Sequence, residues 1–188
     1  MSTASLKLMT ADELLKLPRG MGECHELVDG ELITMAPAGP EHGGIAMDLG
    51  YYIRHFVGQH KLGKVYAAET GFIIRRDPDT VRAPDVAFVS NDRLQQYGRP
   101  LRGYYPCAPD LVVEVRSPDE SQNDVEMKTR EWFDGGAKLV WVVNPRWKTV
   151  TVYRSPTDKQ ELSLCDSLVG AEVLPGFVCP LTDIFPAE

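Results

Sequence analysis

The sequence predicts an α/β fold: a mixed sheet flanked by helices, with an N-terminal β-hairpin and extra C-terminal strands. Three observations carry that expectation. Residues 109–117, Pro-Asp-Leu-Val-Val-Glu-Val-Arg-Ser, form a Val-rich apolar run, the pattern of a buried strand. A helix follows from about Ser121 to Asp134, ended by Gly135-Gly136, and then a second apolar strand from Lys138 to Asn144. A short strand, a helix and a short strand favour a right-handed parallel crossover, and antiparallel strands complete the sheet.

The remaining elements follow from local signals. Thr10-Ala11-Asp12-Glu13 reads as a capping box opening a short helix that Pro18 ends. Gly20 to Gly22 form a loop. Cys24 to Met35 reads as a hairpin turning at Asp29-Gly30, with Glu26 on a half-apolar face of its first strand. Pro37 to Gly44 is a Gly/Pro loop holding His42. Ile45, Leu49, Tyr52, Ile53, Phe56 and Val57 then recur at helical spacing until Gly63. Strand segments are expected at Lys64–Glu69 and Phe72–Arg75, interrupted at Gly71, and Arg82 to Val89 reads as a strand with Asp85 at its mouth. Asn91 to Gln96 is a helical turn, and Gly98 to Pro109 an ordered loop. Thr149 to Tyr153 pairs back across the Asn144-Pro145 turn, and the C-terminal segments to Phe185 read as extended.

Composition narrows the function. At 188 residues and 43% hydrophobic, the chain is long enough for one substantial core, so a single domain over 1–188 is expected. No stretch approaches the roughly 18 apolar residues of a membrane span, and the N-terminus has no basic-then-apolar segment. Four scattered cysteines with no zinc spacing suit reduced thiols, hence a cytoplasmic protein. A net charge of −7 supplies no general attraction to nucleic acid. A polyanion would need bound metal or a local basic patch.

Two strands and one helix carry the chemistry. Glu114 lies in the middle of an apolar strand, where an unpaired carboxylate costs several kcal/mol. A structural pair with Arg116 is the plain explanation. Asp85, on a neighbouring strand, offers a second carboxylate for a divalent cation. Lys128 falls with Val125 and Trp132 at i, i+3 and i+7, leaning over the packed helix face, although a surface pair with Asp124 would also explain it. Two acids and a Lys on strand, strand and helix are the parts of a metal-dependent phosphodiesterase site. Glu26 would otherwise pair with an Arg such as Arg54. Arg75, Arg76, Arg82, Arg93, Arg99 and Arg102 crowd the Asp85 region as candidate phosphate contacts. Trp132 and Trp141 read as core.

Glu26-Leu-Val-Asp-Gly-Glu-Leu, Arg82-Ala-Pro-Asp85-Val, Pro109-Asp-Leu-Val-Val-Glu114-Val-Arg-Ser-Pro118, Lys128-Thr-Arg-Glu-Trp-Phe-Asp-Gly-Gly and Trp141-Val-Val-Asn-Pro145 occur in this order over most of the chain. In this the sequence resembles the PD-(D/E)XK nuclease superfamily, and within it the Uma-type restriction endonuclease family of bacteria. The resemblance implies a restriction-endonuclease-like fold, Mg²⁺ or Mn²⁺, DNA as substrate and a homodimer. It implies metal ligation by Asp85, Glu114 and the Val115 carbonyl, with Glu26 directed at the metal. The residues themselves make His42, Arg82 and Arg116 the candidates for contacting the substrate. The sequence departs from the pattern in three places: Arg116 stands where a Lys commonly follows the second acid, Trp132 or Phe133 where a Tyr usually follows the helix Lys, and Asn144 where members often have Asp. Arg stays protonated and does not easily serve as a proton acceptor; the Uma-type resemblance implies that the Lys comes instead from the following helix, where Lys128 matches. A non-catalytic member of the fold, binding nucleic acid or protein, is the alternative. A glycosidase using the two acids as a pair is a third reading.

Overall fold

The structure, a computed structural model, describes residues 8–18, 24–97 and 102–185. The expected loop at Gly20–Gly22, the first residues of the Gly98–Pro109 loop, and Arg99 lie outside the described residues. Thr10 caps α1 (Ala11–Leu14) through the expected capping box. Strands β1 (Cys24–Val28) and β2 (Glu31–Met35) pair antiparallel. Asp29 and Gly30, with φ of 53° and 78°, make the two left-handed residues that a two-residue hairpin turn requires. A Cβ on Gly30 would come within 2.6 Å of Leu8 Cβ, a second reason for glycine there.

Helix α2 (Pro40–His60) begins within the stretch that reads as a Gly/Pro loop, so His42 lies in its first turn. Pro40 at the helix start suits a fixed φ and needs no N–H partner, while the long apolar stripe behind tolerates Gly43 and Gly44. Next come β3 (Gly63–Ala67), β4 (Phe72–Arg75), β5 (Thr80–Arg82), β6 (Val86–Ser90) and α3 (Asn91–Tyr97). They are followed by β7 (Leu111–Val115), α4 (Gln122–Asp134), β8 (Leu139–Asn144) and β9 (Thr149–Tyr153). β10 (Lys159–Leu162), β11 (Ser167–Val169), β12 (Val178–Pro180) and α5 (Leu181–Ile184) complete the chain. The last of these is a helical turn where an extended segment was expected.

Six strands in the order β10-β9-β8-β7-β6-β3 form the mixed sheet. Its parallel pair is β7–β8, joined through α4 as the strand–helix–strand pattern predicts. The hairpin is not an appendage to that sheet. It belongs to a second, antiparallel sheet in the order β2-β1-β5-β4. The stretch expected as one strand, Arg82 to Val89, is therefore two, with β5 in one sheet and β6 in the other. Pro84 has no N–H to give a ladder, and the chain crosses between sheets at Ala83-Pro84-Asp85. β3 and β4 likewise part into different sheets, pairing with β6 and β5.

The pleat of β7 assigns its side chains to two layers. Leu111, Val113 and Val115 pack with Ile45, Leu49, Ile53 and Val57 of α2 and with the C-terminal residues Phe177, Leu181 and Ile184. Val112 packs instead with Val125 and Trp132 of α4 and with Val140 and Val142 of β8. Burying each such large side chain contributes about 1.5–3 kcal/mol. By strand alternation Glu114 shares the face of Val112 and is directed at α4.

Candidate active site

Helix α4 is anchored before it reaches the site. Ser121 caps it with Asp124 in a reciprocal capping box, so Asp124 is not the partner of Lys128. Val125 and Trp132 are buried against the sheet, which turns Lys128 inward between them. Lys128 Nζ meets Glu114 Oε2 at 2.8 Å, and Trp132 Nε1 donates to Glu114 Oε1 at 2.8 Å. The indole, read from sequence as core alone, thus also fixes the central acid. Its i+4 spacing from Lys128 is the signal that points to this role.

Asp85 reaches the same strand from the crossing segment. Its Oδ2 accepts the Val115 backbone N–H at 2.7 Å, and His42 Nε2 lies 3.4 Å from that oxygen. Asp85, the backbone of Val115, Glu114 and Lys128 therefore converge at the C-terminal end of β7, with His42 contributed by α2.

Glu26 is bound differently from the sequence expectation. Its Oε1 accepts the Ala83 N–H at 2.9 Å and its Oε2 accepts Arg82 Nη1 at 2.7 Å. Arg82 in turn donates to Glu131 of α4 through Nε at 2.9 Å and Nη2 at 2.6 Å. The partner of Glu26 is thus Arg82, not Arg54. Together Glu26, Arg82 and Glu131 tie β1, the crossing segment and α4 into one buried network, and Ala83 is two residues from Asp85.

Arg116 turns away from Glu114. Its guanidinium donates to the Glu120 carbonyl at 2.7 and 3.1 Å and to Gln122 Oε1 at 3.3 Å, holding the loop before α4. The expected basic patch is largely committed as well. Arg75 pairs with Asp29, Arg76 with Asp79, and Arg93 with Asp110 and the carbonyls of Ala108 and Gly136. These arginines hold the fold together rather than face a ligand.

The electrostatics separate the acids. Burial pushes the Glu114 carboxyl up to about 7 despite Lys128, with the neighbouring Asp85 and Glu26 charges adding to the rise. Burial also raises Asp85, more than the Val115 N–H, His42 and Lys128 lower it. Glu26 goes the other way: burial opposes its charge, but Lys128, Arg82 and the Ala83 N–H together hold it below the usual carboxylate range. Lys128 stays protonated, since Glu114 and Glu26 outweigh its own burial. Two acids at one strand end are thus short of positive charge.

These residues fit a hard divalent cation. Among the described residues no three His, Cys, Asp or Glu side chains form an ion cage. Mg²⁺ does not need one, because it retains waters and takes one or two carboxylates beside substrate phosphate oxygens. No described residue donates to Asp85 Oδ1, and the raised Glu114 and Asp85 carboxyls mark a place that a cation would relieve.

The family model Uma2, described as "Putative restriction endonuclease", matches residues 11–182. The chain belongs to the Uma2 family. That membership makes the chain one of a group described as "putative restriction endonuclease". A crystal structure of a "putative nuclease belonging to DUF820" from Anabaena variabilis is similar, with a TM-score of 0.76 at 24% identity. The likeness covers 94% of this chain and 97% of that one, and shows that the two share this α/β fold, a mixed sheet flanked by helices. No curated protein matches this Uma2 chain. Among the described residues no helix is long and apolar enough to cross a membrane.

Proposed function

We propose that this Uma2 protein is a divalent-metal-dependent DNA endonuclease. The observation that carries the reading is the 2.8 Å contact of Lys128 with Glu114, beside Asp85 bound to the next residue's N–H. Asp85, Glu114 and the Val115 carbonyl would hold Mg²⁺ or Mn²⁺. When bound, such a cation polarises a phosphodiester and lowers the pKa of water.

The chain's own groups do the rest. The Lys128 ammonium orients the attacking water and offsets charge forming on the phosphate. Trp132 fixes the Glu114 carboxylate. His42, in the first turn of α2, donates to a phosphate oxygen or positions water. Glu26 and Arg82 act as positioning residues through the Ala83 N–H, and Arg116 through the loop before α4. A homodimer, each copy cutting one strand, is the expected active assembly. Light scattering that gives a monomer at micromolar concentration with and without DNA removes that part. The free thiols of Cys24, Cys107, Cys165 and Cys179 suit a reducing cytoplasm.

A second reading has its own support. Both Glu114 oxygens already have protein donors, as in a purely structural ion pair of a non-catalytic DNA- or protein-binding member. Incubating the protein with supercoiled and linear DNA in Mg²⁺, Mn²⁺ or EDTA decides between them. Cleavage with metal and none with EDTA is expected. No cleavage in any metal, or equal cleavage in EDTA, rejects the catalytic reading.

A further inference from the structure

We infer that the β8–β9 turn is a single-stranded nucleic-acid contact beside the candidate active site. In this inference the Trp147 indole stacks on an unpaired base while Arg146 and Lys148 meet flanking phosphates. The ligand class rests on the nuclease reading above; the surface itself rests on the turn.

Trp147 is 68% exposed, the most exposed aromatic side chain among the described residues. A single exposed apolar side chain is ordinary by itself, so what sets this ring apart is what surrounds it. Its surroundings are cationic. The Arg146 guanidinium carbon lies 5.3 Å from the ring centroid, and Lys148 follows directly. Among the described residues neither cation is paired with a carboxylate, whereas Arg75, Arg76, Arg82 and Arg93 all are.

The turn is also built and well placed. The Trp147 backbone N–H donates to Asn144 Oδ1 at 3.3 Å, the Lys148 backbone N–H donates to the Pro145 carbonyl at 3.2 Å, and Asn144 pairs with Thr149. Val142 pairs with Glu114 and Val143 with Val115. The turn therefore leaves the sheet at the edge where Asp85 meets β7, with Asn144 only about 7 Å along the strand from Val142.

An exposed ring flanked by unpaired cations is the chemistry of sequence-tolerant single-strand binding: every base has a π-face, and phosphates answer the charges. A base inside a duplex is stacked on both faces by its neighbours and leaves none for the ring. The turn thus favours DNA carrying unpaired nucleotides next to the cleavage point over plain duplex. In a chain of net charge −7 such a local contact has to supply much of the attraction.

The test reads binding, not cleavage. Fluorescence anisotropy of a labelled single-stranded oligonucleotide, and of the matching duplex, is measured in EDTA with the parent, Trp147→Ala and Trp147→Phe proteins. Tighter binding of the single strand by the parent, about 10-fold weakening in Trp147→Ala, and recovery of most of it in Trp147→Phe support the inference. Equal affinities of parent and Trp147→Ala for the single strand overturn it. So does a parent that binds neither DNA, or a Trp147→Ala protein changed only in its light-scattering mass. Absence of cleavage with every metal rejects the nuclease reading and leaves this binding result standing.

Discussion

The Trp132 indole donates to the Glu114 oxygen that Lys128 leaves free. One turn of α4 therefore holds both oxygens of the acid near the C-terminal end of β7. A hydrogen bond to a charged group contributes about 1.5–3 kcal/mol, and an abandoned buried acceptor costs a similar amount. Trp132→Phe keeps most of the ring volume but removes the N–H. It is expected to lower stability by about 2 kcal/mol, read by urea denaturation, and to reduce cleavage as Glu114 loosens. Unchanged values of both would mean that the indole is packing alone.

Lys128→Ala is expected to lower cleavage about 10²-fold or more while Mn²⁺ still binds, as for loss of a contact made to the reacting phosphate. Lys128→Arg should not restore activity, because a planar guanidinium cannot take the place of a compact ammonium and stays protonated. Steady-state cleavage rates alongside metal titrations check this. Full activity in Lys128→Ala would move the catalytic cation elsewhere.

Asp85 gives a dependence on pH. Its folded carboxyl titrates above the unfolded value, so the native state keeps the proton to higher pH than the unfolded chain. Stability is therefore lost progressively as pH rises from the unfolded value, about 4, through the folded one, and nothing is lost below about pH 4, where both states are protonated. Asn can still accept the Val115 N–H. Metal-free Asp85→Asn is expected to melt roughly 2–4 °C higher than the parent at pH 7, with the gain fading toward pH 4. A lower melting temperature at pH 7 would contradict the crowded-carboxylate account. Glu114 adds a loss in the same direction as pH rises from about 4.5 to about 7.

Glu26→Ala leaves Arg82 with Glu131 alone and removes the acceptor for the Ala83 N–H. Breaking one side of a buried pair costs about 3–5 kcal/mol. The loss is expected to come with weaker Mn²⁺ binding, because the segment carrying Asp85 is no longer clamped. Arg116→Ala should cost about 1 kcal/mol through the loop before α4 and leave Mn²⁺ affinity unchanged. Denaturation and calorimetry on the two variants distinguish the roles, and a metal defect in Arg116→Ala would put that residue back in the site.

Much of this arrangement was legible in the residues. An acid inside a Val-rich strand and a Lys on an apolar helical stripe are local patterns, and the structure joins Glu114 to Lys128 in place of the Arg116 and Asp124 pairs that the sequence also allowed. The parallel β7–β8 pair followed from element lengths in the same way. What stayed hidden depends on partners distant in sequence. Glu26 and Arg82 are 56 residues apart, and no local feature marks which Arg an acid will choose. The strand break at Ala83–Asp85 was masked because Val81 and Val86 on either side are both buried, one in each sheet. His42 was misplaced because Gly43 and Gly44 argue against a helix that the downstream apolar stripe nevertheless carries back to Pro40. Trp132 reads as core because it is core, and a donor on a buried ring leaves no separate trace.

The most direct measurement is calorimetric titration of Mn²⁺ into the parent, Asp85→Asn and Glu114→Gln proteins. The account requires binding by the parent and near-complete loss in both variants, since each carboxylate is one of only two charged ligands, beside the Val115 carbonyl, that the protein supplies to the ion. If all three proteins take up Mn²⁺ alike, or the parent takes up none, Asp85 and Glu114 are not a metal site.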